Sequence, residues 1–286
     1  MTRGILLFAH NSSAVDYGLL SIVSGGLAKK NLNVPVSLVT DESTVQWLKQ
    51  SNMYSTASDI FDKIIIVDQP STTNTRQLRD GTTKETIPFI NANRQSAWEL
   101  TPYDRTLLID VDYLILSTNL SQFWEVDFDI MISPAINDIC SDNRIGYHDK
   151  YISDTGVHLY WATTVMFTKN HQSRIFFDLV ESIKNNYKVY SDIYRFSADQ
   201  YRNDISFSVA KHILDGFSTN LIGSLPPILT AQDRDVLVGI TDSKLTFLID
   251  DIASQKNFPT VVSGIDIHVM NKQSIVRHAD KLMGII

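Results

Sequence analysis

Short, almost uninterrupted apolar runs alternate with amphipathic stretches over the first two-thirds of the chain, and this alternation constrains the fold most strongly. A brief run without polar alternation fits a strand covered on both faces, as in the parallel sheets of α/β proteins. Such runs occupy residues 4–9, 34–39, 63–67, 105–109 and 129–133. Between them the pattern predicts helices over 14–30, 43–51 and 91–100, with Asp41 or Ser43 capping the second and Pro102 stopping the third. A further strand is expected at 159–168. It is followed by a helix over 173–187, where Ile175, Phe176, Leu179, Val180 and Ile183 recur at helical spacing. Residues 199–214 form another helical stretch, and short strands are expected at 247–249, 260–262 and 265–270. The chain reads as one α/β domain over residues 1–286, Rossmann-like, with a mostly parallel central sheet flanked by helices.

Charge and cysteine content narrow the class. There are 25 basic and 32 acidic residues, a net charge of −7, which excludes a generally basic nucleic-acid coat but leaves room for a local basic groove. The single cysteine, Cys140, excludes an internal disulfide framework and suits a reducing compartment. No apolar run approaches the roughly 18 residues of a membrane span, and residues 4–9 are too short for a signal-peptide core. A soluble cytoplasmic chain without a membrane partner is expected. Ser24-Gly25-Gly26 lacks the spacing of a dinucleotide or P-loop motif and reads as helix packing. The polar stretches 69–87 and 137–156 read as long loops, the kind that cover or shape substrate sites.

One motif carries chemistry. The run at 105–109 ends in Asp110-Val111-Asp112, and alternation along a strand would put both carboxylates on one side. Two oxygen ligands at a strand's carboxyl end suit a hard divalent ion holding a diphosphate, where open α/β sheets place their ligands. The pattern alone says little, because 27 aspartates produce such triplets by chance and the chain holds three. Position separates them: 127–129 precedes its apolar run, 233–235 lies in a polar loop after Pro226-Pro227, and 110–112 follows a strand. Late in the chain, His268 and Lys272 follow a short apolar stretch. An imidazole can complete a metal shell begun by two carboxylates, and a lysine can neutralise a leaving phosphate. The plainer alternative for His268 is a partly buried, satisfied histidine.

An N-terminal strand, the block from Asn91 to Leu116 around the Asp-x-Asp motif, and the late His268-x-x-x-Lys272 resemble GT-A-fold glycosyltransferases related to glycogenin and bacterial galactosyltransferases. In those the late segment is usually His-x-x-Gly-x-x-Lys; here the lysine comes two residues early and the glycine is missing. The chain also resembles glycosyltransferase sequences of large tailed phages, through Leu6-Leu7-Phe8-Ala9-His10-Asn11, Leu100-Thr101-Pro102-Tyr103-Asp104, Arg202-Asn203-Asp204 and His268-Val269-Met270-Asn271-Lys272. Some phage enzymes of that kind glycosylate hydroxylated bases of the phage's own DNA. The resemblance implies a donor-binding half at about 1–135 and an acceptor-binding half at about 136–286. It implies a nucleotide diphosphate sugar as donor, a UDP-sugar first, and Mn²⁺ or Mg²⁺ as the ion. Asp112 would be the main metal ligand, Asp110 would share the metal or the ribose, and His268 would close the shell. His10, Asn11 and Asp41 would bind the nucleotide, Arg94 the donor's phosphates or sugar, and Lys272 the leaving diphosphate. For Arg94 a solvated helix charge is the plain alternative.

On the acceptor side, related folds turn a carboxylate or amide from the later region toward the donor's anomeric carbon. That role falls to Asp204, orienting or deprotonating the acceptor hydroxyl, against the alternative of an exposed helix-start acid. Trp161 lies in the strand that often floors the acceptor pocket, where a core role is the alternative. Arg195, Arg202 and Asn203 complete the acceptor set, with Tyr194, Phe196 and Tyr201 offered for stacking. The expected acceptor is a hydroxylated pyrimidine in double-stranded DNA, with a glycan or small molecule as the alternative. A sugar nucleotidyltransferase would also want paired carboxylates, but it normally carries a Gly-rich basic loop after the first strand, and His10-Asn11-Ser12-Ser13 is not one.

Overall fold

The computed structural model describes residues 1–68, 74–140, 144–218, 224–241, 243–251 and 255–286. The N-terminal elements are β1 (Arg3–Phe8), α1 (Tyr17–Leu32), β2 (Val36–Thr40), α2 (Glu42–Gln50), α3 (Tyr54–Ile60) and β3 (Lys63–Ile66). A hairpin, β4 (Thr75–Asp80) and β5 (Thr83–Pro88), precedes the one-turn α4 (Ala97–Leu100), β6 (Arg105–Ile109) and β7 (Tyr113–Leu114). Then come β8 (Ile130–Ser133), β9 (Ile136–Asp138), β10 (Trp161–Thr168), α5 (His171–Asn185), α6 (Tyr187–Tyr194) and α7 (Asn203–Leu214). The chain closes with β11 (Ile228–Ala231), β12 (Val236–Thr241), β13 (Lys244–Asp251), β14 (Lys256–Ser263), β15 (Ile267–Val269), α8 (Lys272–Arg277) and α9 (Ala279–Met283).

The main sheet has six strands in the order β3-β2-β1-β6-β10-β8. β3, β2, β1 and β6 run parallel, and β10 is antiparallel to both of its neighbours. Ile5, Leu6 and Leu7 in β1 are fully buried, as expected of a strand with layers on both faces. α1 packs against β1, β2, α3 and α9, while α5 packs on α7 and α7 on β10. A second sheet, β7-β15-β11-β9, starts immediately beyond β6 and draws the late segment to the end of that strand.

Local chemistry sets several boundaries. Asp16 caps α1 by accepting from Leu19 N at 2.9 Å, so the helix starts later than 14. Asn33 ends it in the left-handed conformation, φ 51°. Helical spacing continues through residue 187, yet α5 ends at Asn185 and a separate α6 begins at Tyr187. The segment at 91–100 is a single 3₁₀ turn, Arg94–Ser96, followed by α4, and 199–202 lie outside α7. The stretch expected to be a loop at 69–87 contains the β4–β5 hairpin, and the one at 137–156 contains part of β9 and a 3₁₀ turn, Tyr147–Asp149; 69–73 and 141–143 fall outside the described residues. Residues 247–249 and 260–262 belong to longer strands of the meander β12-β13-β14.

Gly25 and Gly26 act in packing. A Cβ at Gly25 would sit 2.7 Å from the Phe61 ring and 3.2 Å from Leu7 Cδ1. Gly25→Ala should therefore lose about 1–3 kcal/mol to overpacking, offset in part by the roughly 1 kcal/mol gained in helix propensity. A urea midpoint equal to or above that of the wild-type protein would contradict this packing role.

Candidate active site at the end of the sixth strand

β6 ends at Ile109, and the chain turns at once. Asp110 N–H donates to the Thr163 carbonyl at 3.0 Å, and the Asp110 carbonyl accepts from Tyr113 N at 3.1 Å. The two motif carboxylates are thus brought together by a tight turn beyond the strand, not by strand alternation. β7 then pairs antiparallel with β15, setting His268 opposite Tyr113, and Val269 N donates to the Asp112 carbonyl at 2.8 Å. This register places His268 Nε2 3.4 Å from Asp112 Oδ2. Lys272, the first residue of α8, closes an ion pair with the same oxygen. One ligand atom from each of Asp110, Asp112 and His268 lies within 4.8 Å of the others. His268 Nδ1 is buried without a hydrogen-bond partner. Burial opposes charge on Asp112, but Lys272 and His268 outweigh it and hold its carboxyl well below the usual carboxylate range.

Arg94 is buried rather than solvated. Its guanidinium bonds Asp110 at 3.0 Å and also donates to the Ala162 carbonyl. Ala162 N–H donates to Asp204 Oδ1 at 2.9 Å, so Ala162 ties Arg94 to the first turn of α7. Asp204 Oδ2 faces Arg202 at 3.2 Å. Trp161 donates its indole N–H to the Asp149 carbonyl at 3.1 Å and lays its ring 6.4 Å from that of His268. Asn203 donates to the Asn91 carbonyl at 3.3 Å and leaves its own Oδ1 buried and unpartnered. Asp110, Asp112, His268, Lys272, Arg94, Trp161, Arg202, Asn203 and Asp204 all line one cavity of about 440 Å³.

Four expected site residues stand apart. His10 bonds Asn91 Oδ1 through its backbone N–H at 3.0 Å and Nδ1 at 2.9 Å. The Asn11 side chain accepts from Gly18 N at 2.6 Å. Asp41 caps α2, accepting from Thr44 N and Ser43 Oγ at 2.7 Å each. These three shape the turns after β1 and β2 without lining the cavity. His10 Nε2 and Asp41 Oδ2 nevertheless remain buried and without a hydrogen-bond partner. Arg195 is exposed, pairs with Asp154 at 3.8 Å, and lines a neighbouring cavity of about 710 Å³ that shares Gln200 and Arg202 with the first.

Tyr194, Phe196 and Tyr201, offered for stacking, are largely buried: Tyr187 packs against both Phe196 and Tyr201 at 5.0 Å and Tyr194 against His212, while Tyr201 lines the first cavity and Phe196 the second. One sequence expectation needs correction here. Asp233 and Asp235 also follow a strand, β11, but Asp235 is fully buried and paired with Arg144 at 2.8 Å, a structural role. The sequence reading missed Arg76 on β4, which lines the cavity. Its signal was present in Gly81-Thr82, a two-residue loop with glycine in the first position that marks a hairpin.

Neither a family model nor a curated relative matches the sequence. Among solved structures, the galactosyltransferase LgtC in complex with donor and acceptor sugar analogues matches over 99% of this chain and 96% of its own, with TM-score 0.51 and 12% identity. The chain has the GT-A glycosyltransferase fold. An active-site mutant of LgtC is also similar, with TM-score 0.43, 14% identity, and 72% and 68% of the two chains covered. So is the glycosyltransferase GlyE of Streptococcus pneumoniae TIGR4, with TM-score 0.40, 12% identity, and 79% and 45% covered. In this GT-A chain the Asp110–Asp112–His268 cluster sits at the carboxyl end of the central strand β6, and among the described residues no helix is long and apolar enough to cross a membrane.

Proposed function

We propose that this chain is a metal-dependent glycosyltransferase that moves a sugar from a nucleotide diphosphate sugar, a UDP-sugar first, to an acceptor hydroxyl. The observation that carries this reading is the convergence of Asp110, Asp112, His268 and Lys272 in one cavity at the end of β6. Two carboxylates and an imidazole with a buried, unpartnered nitrogen form a mixed oxygen and nitrogen donor set that fits Mn²⁺ or Mg²⁺. Bound there by Asp110, Asp112 and His268, the ion supplies positive charge to a departing diphosphate.

The protein's own groups do the rest. Arg94 orients Asp110 and fixes Ala162, and Ala162 N–H holds one oxygen of Asp204. The other oxygen of Asp204, beside Arg202, orients the acceptor hydroxyl or takes its proton. His10 Nε2 and Asp41 Oδ2, both buried and without a hydrogen-bond partner, serve the nucleoside end of the donor, which Asn11 supports by holding the start of α1. Trp161 and Asn203 wall the acceptor side, where Arg195 lines the adjoining cavity. A DNA acceptor would need arginines free for phosphates and rings free to stack. Arg195 and Arg202 each face a carboxylate, and Phe196 and Tyr201, which line the two cavities, keep less than a tenth of their surface exposed. Support therefore goes to a saccharide or small-molecule hydroxyl.

The test is incubation with Mn²⁺, a panel of nucleotide sugars, and either saccharides or DNA carrying hydroxymethylated pyrimidines, read by mass spectrometry. Transfer to saccharide is expected. Transfer to DNA alone would reverse the acceptor reading, and formation of a nucleotide sugar from a nucleoside triphosphate and a sugar phosphate would replace the reaction class. Lys272→Met should lower kcat on the order of 10²-fold by removing charge stabilisation from the transition state. Wild-type kinetics in that variant would leave Lys272 only the role of pairing Asp112.

A further inference from the structure

The β4–β5 hairpin has little core of its own: of β5 only Ile87 is buried. Contacts at its tip hold it in place. Both terminal nitrogens of Arg277 meet the Asp80 carboxylate, at 2.5 and 2.7 Å, and Asn271 Nδ2 donates to it at 3.2 Å. Arg79 reaches Asp233 at 3.5 Å. Gly81, at φ 58°, takes the left-handed conformation that a two-residue hairpin turn requires. Asn271 caps α8, whose first residue is Lys272, so the hairpin tip and the catalytic-site lysine are locked to the same helix end.

Farther along the hairpin, Arg76 lines the cavity with Asp110, Asp112 and Lys272, its guanidinium 4.8 Å over the Phe89 ring. Of the described arginines and lysines lining that cavity, Arg94, Arg202 and Lys272 face carboxylates at ion-pair distance, and Arg76 does not. Burial opposes its charge, but Tyr17 and the carboxylates of Asp112, Asp110 and Asp204 push its pKa above the usual guanidinium value. A planar fork with no protein carboxylate to occupy it is suited to two phosphate oxygens.

We propose that the β4–β5 hairpin is a donor clamp: Arg76 binds the donor's diphosphate, and the Asp80–Arg277 pair is the positioning lock that sets Arg76 over it. This inference rests on the donor reading above. It is tested by calorimetric titration of the whole chain with UDP and with uridine, with and without Mn²⁺. Arg76→Ala should weaken UDP at least about tenfold, the size of a lost charged hydrogen bond, and leave uridine unchanged. Arg76→Lys should recover only part of the loss. Lys84→Ala removes an exposed cation from the same hairpin and should keep full affinity. Asp80→Arg and Arg277→Asp should each weaken UDP, and the double charge swap should restore it, with melting temperatures checking the fold of each variant.

If the wild-type chain binds UDP and Arg76→Ala binds it equally well, the clamp is wrong and the donor reading stands. If the wild-type chain does not bind UDP, the clamp and the UDP-sugar reading fall together. A Lys84→Ala loss equal to that of Arg76→Ala would mean bulk charge, not a clamp. Failure of the charge swap to restore affinity would remove the positioning role of Asp80.

Discussion

Asp112→Ala is expected to cut sugar transfer by about 10³-fold, because electrostatic help from a bound ion is worth several kcal/mol and each 1.36 kcal/mol is tenfold in rate. It should also destabilise the protein, since Asp112 and Lys272 are a buried pair, with 4% and 9% of their side chains exposed. Removing one partner of such a pair leaves an uncompensated buried charge and costs about 3–5 kcal/mol. The two effects separate in the double variant Asp112→Ala/Lys272→Met, which removes both charges and should recover much of the stability and none of the activity. Asp127→Ala, at a pair that precedes β8, should leave transfer intact. Thermal melts with and without Mn²⁺ complete the test: wild-type protein should gain stability from the ion and Asp112→Ala should not. Transfer that survives both EDTA and Asp112→Ala would sink the metal assignment.

How much of this was legible in the sequence depends on whether burial or long-range placement decided it. β1, β2 and β6 announce themselves because a strand covered on both faces is predominantly apolar without a polar alternation, and Asp110 interrupts that run where the sheet ends. The β4–β5 hairpin was illegible by the same logic. Its residues are mostly exposed, so no apolar alternation marks it, and only the Gly81-Thr82 turn does. The helix over 173–187 was read as one because Tyr187 keeps the apolar spacing, while the Asn185-Asn186 break between α5 and α6 carries no apolar signal. In the site, residue types pointed to Asp110, Asp112 and His268, and the structure brings them together. The reason expected for the carboxylate pair was wrong, since a turn and not strand alternation joins them. Asp41 sits where a donor group was expected, yet one of its oxygens is spent on capping α2. The charge partner of Arg195 comes from loop packing, which spacing along the chain does not encode, whereas Arg202 faces Asp204 only two residues on, at the start of α7.

Arg144→Met is expected to cost about 3–5 kcal/mol at neutral pH, because it removes the counter-charge shared by two buried carboxylates. Arg144 pairs with Asp235 at 2.8 Å and Asp138 at 3.2 Å, and those side chains are 0% and 1% exposed. Burial raises the Asp235 pKa even beside Arg144, and losing the guanidinium removes the main opposing influence. A carboxyl whose folded pKa lies above its unfolded value binds more protons in the folded state, so stability rises as pH falls through the folded pKa. The stability deficit of Arg144→Met should accordingly shrink as pH drops from neutral toward the ordinary carboxylate range near about 4. Urea midpoints of both proteins at pH 7.5 and 5, about two and a half units apart, would show it. A deficit that stays constant would mean that the remaining donors, Gln232 and the Cys140 and Asp250 N–H groups, hold the two charges without Arg144. The consequence reaches the candidate site, because Asn271 Nδ2 donates to the Asp235 carbonyl at 3.1 Å as well as to Asp80, and Asn271 caps the helix that begins with Lys272. A loosened Asp235 turn should therefore weaken UDP binding in Arg144→Met although Arg144 lies outside the cavity, and unchanged UDP affinity would show that Asp80 and Arg277 hold α8 without it.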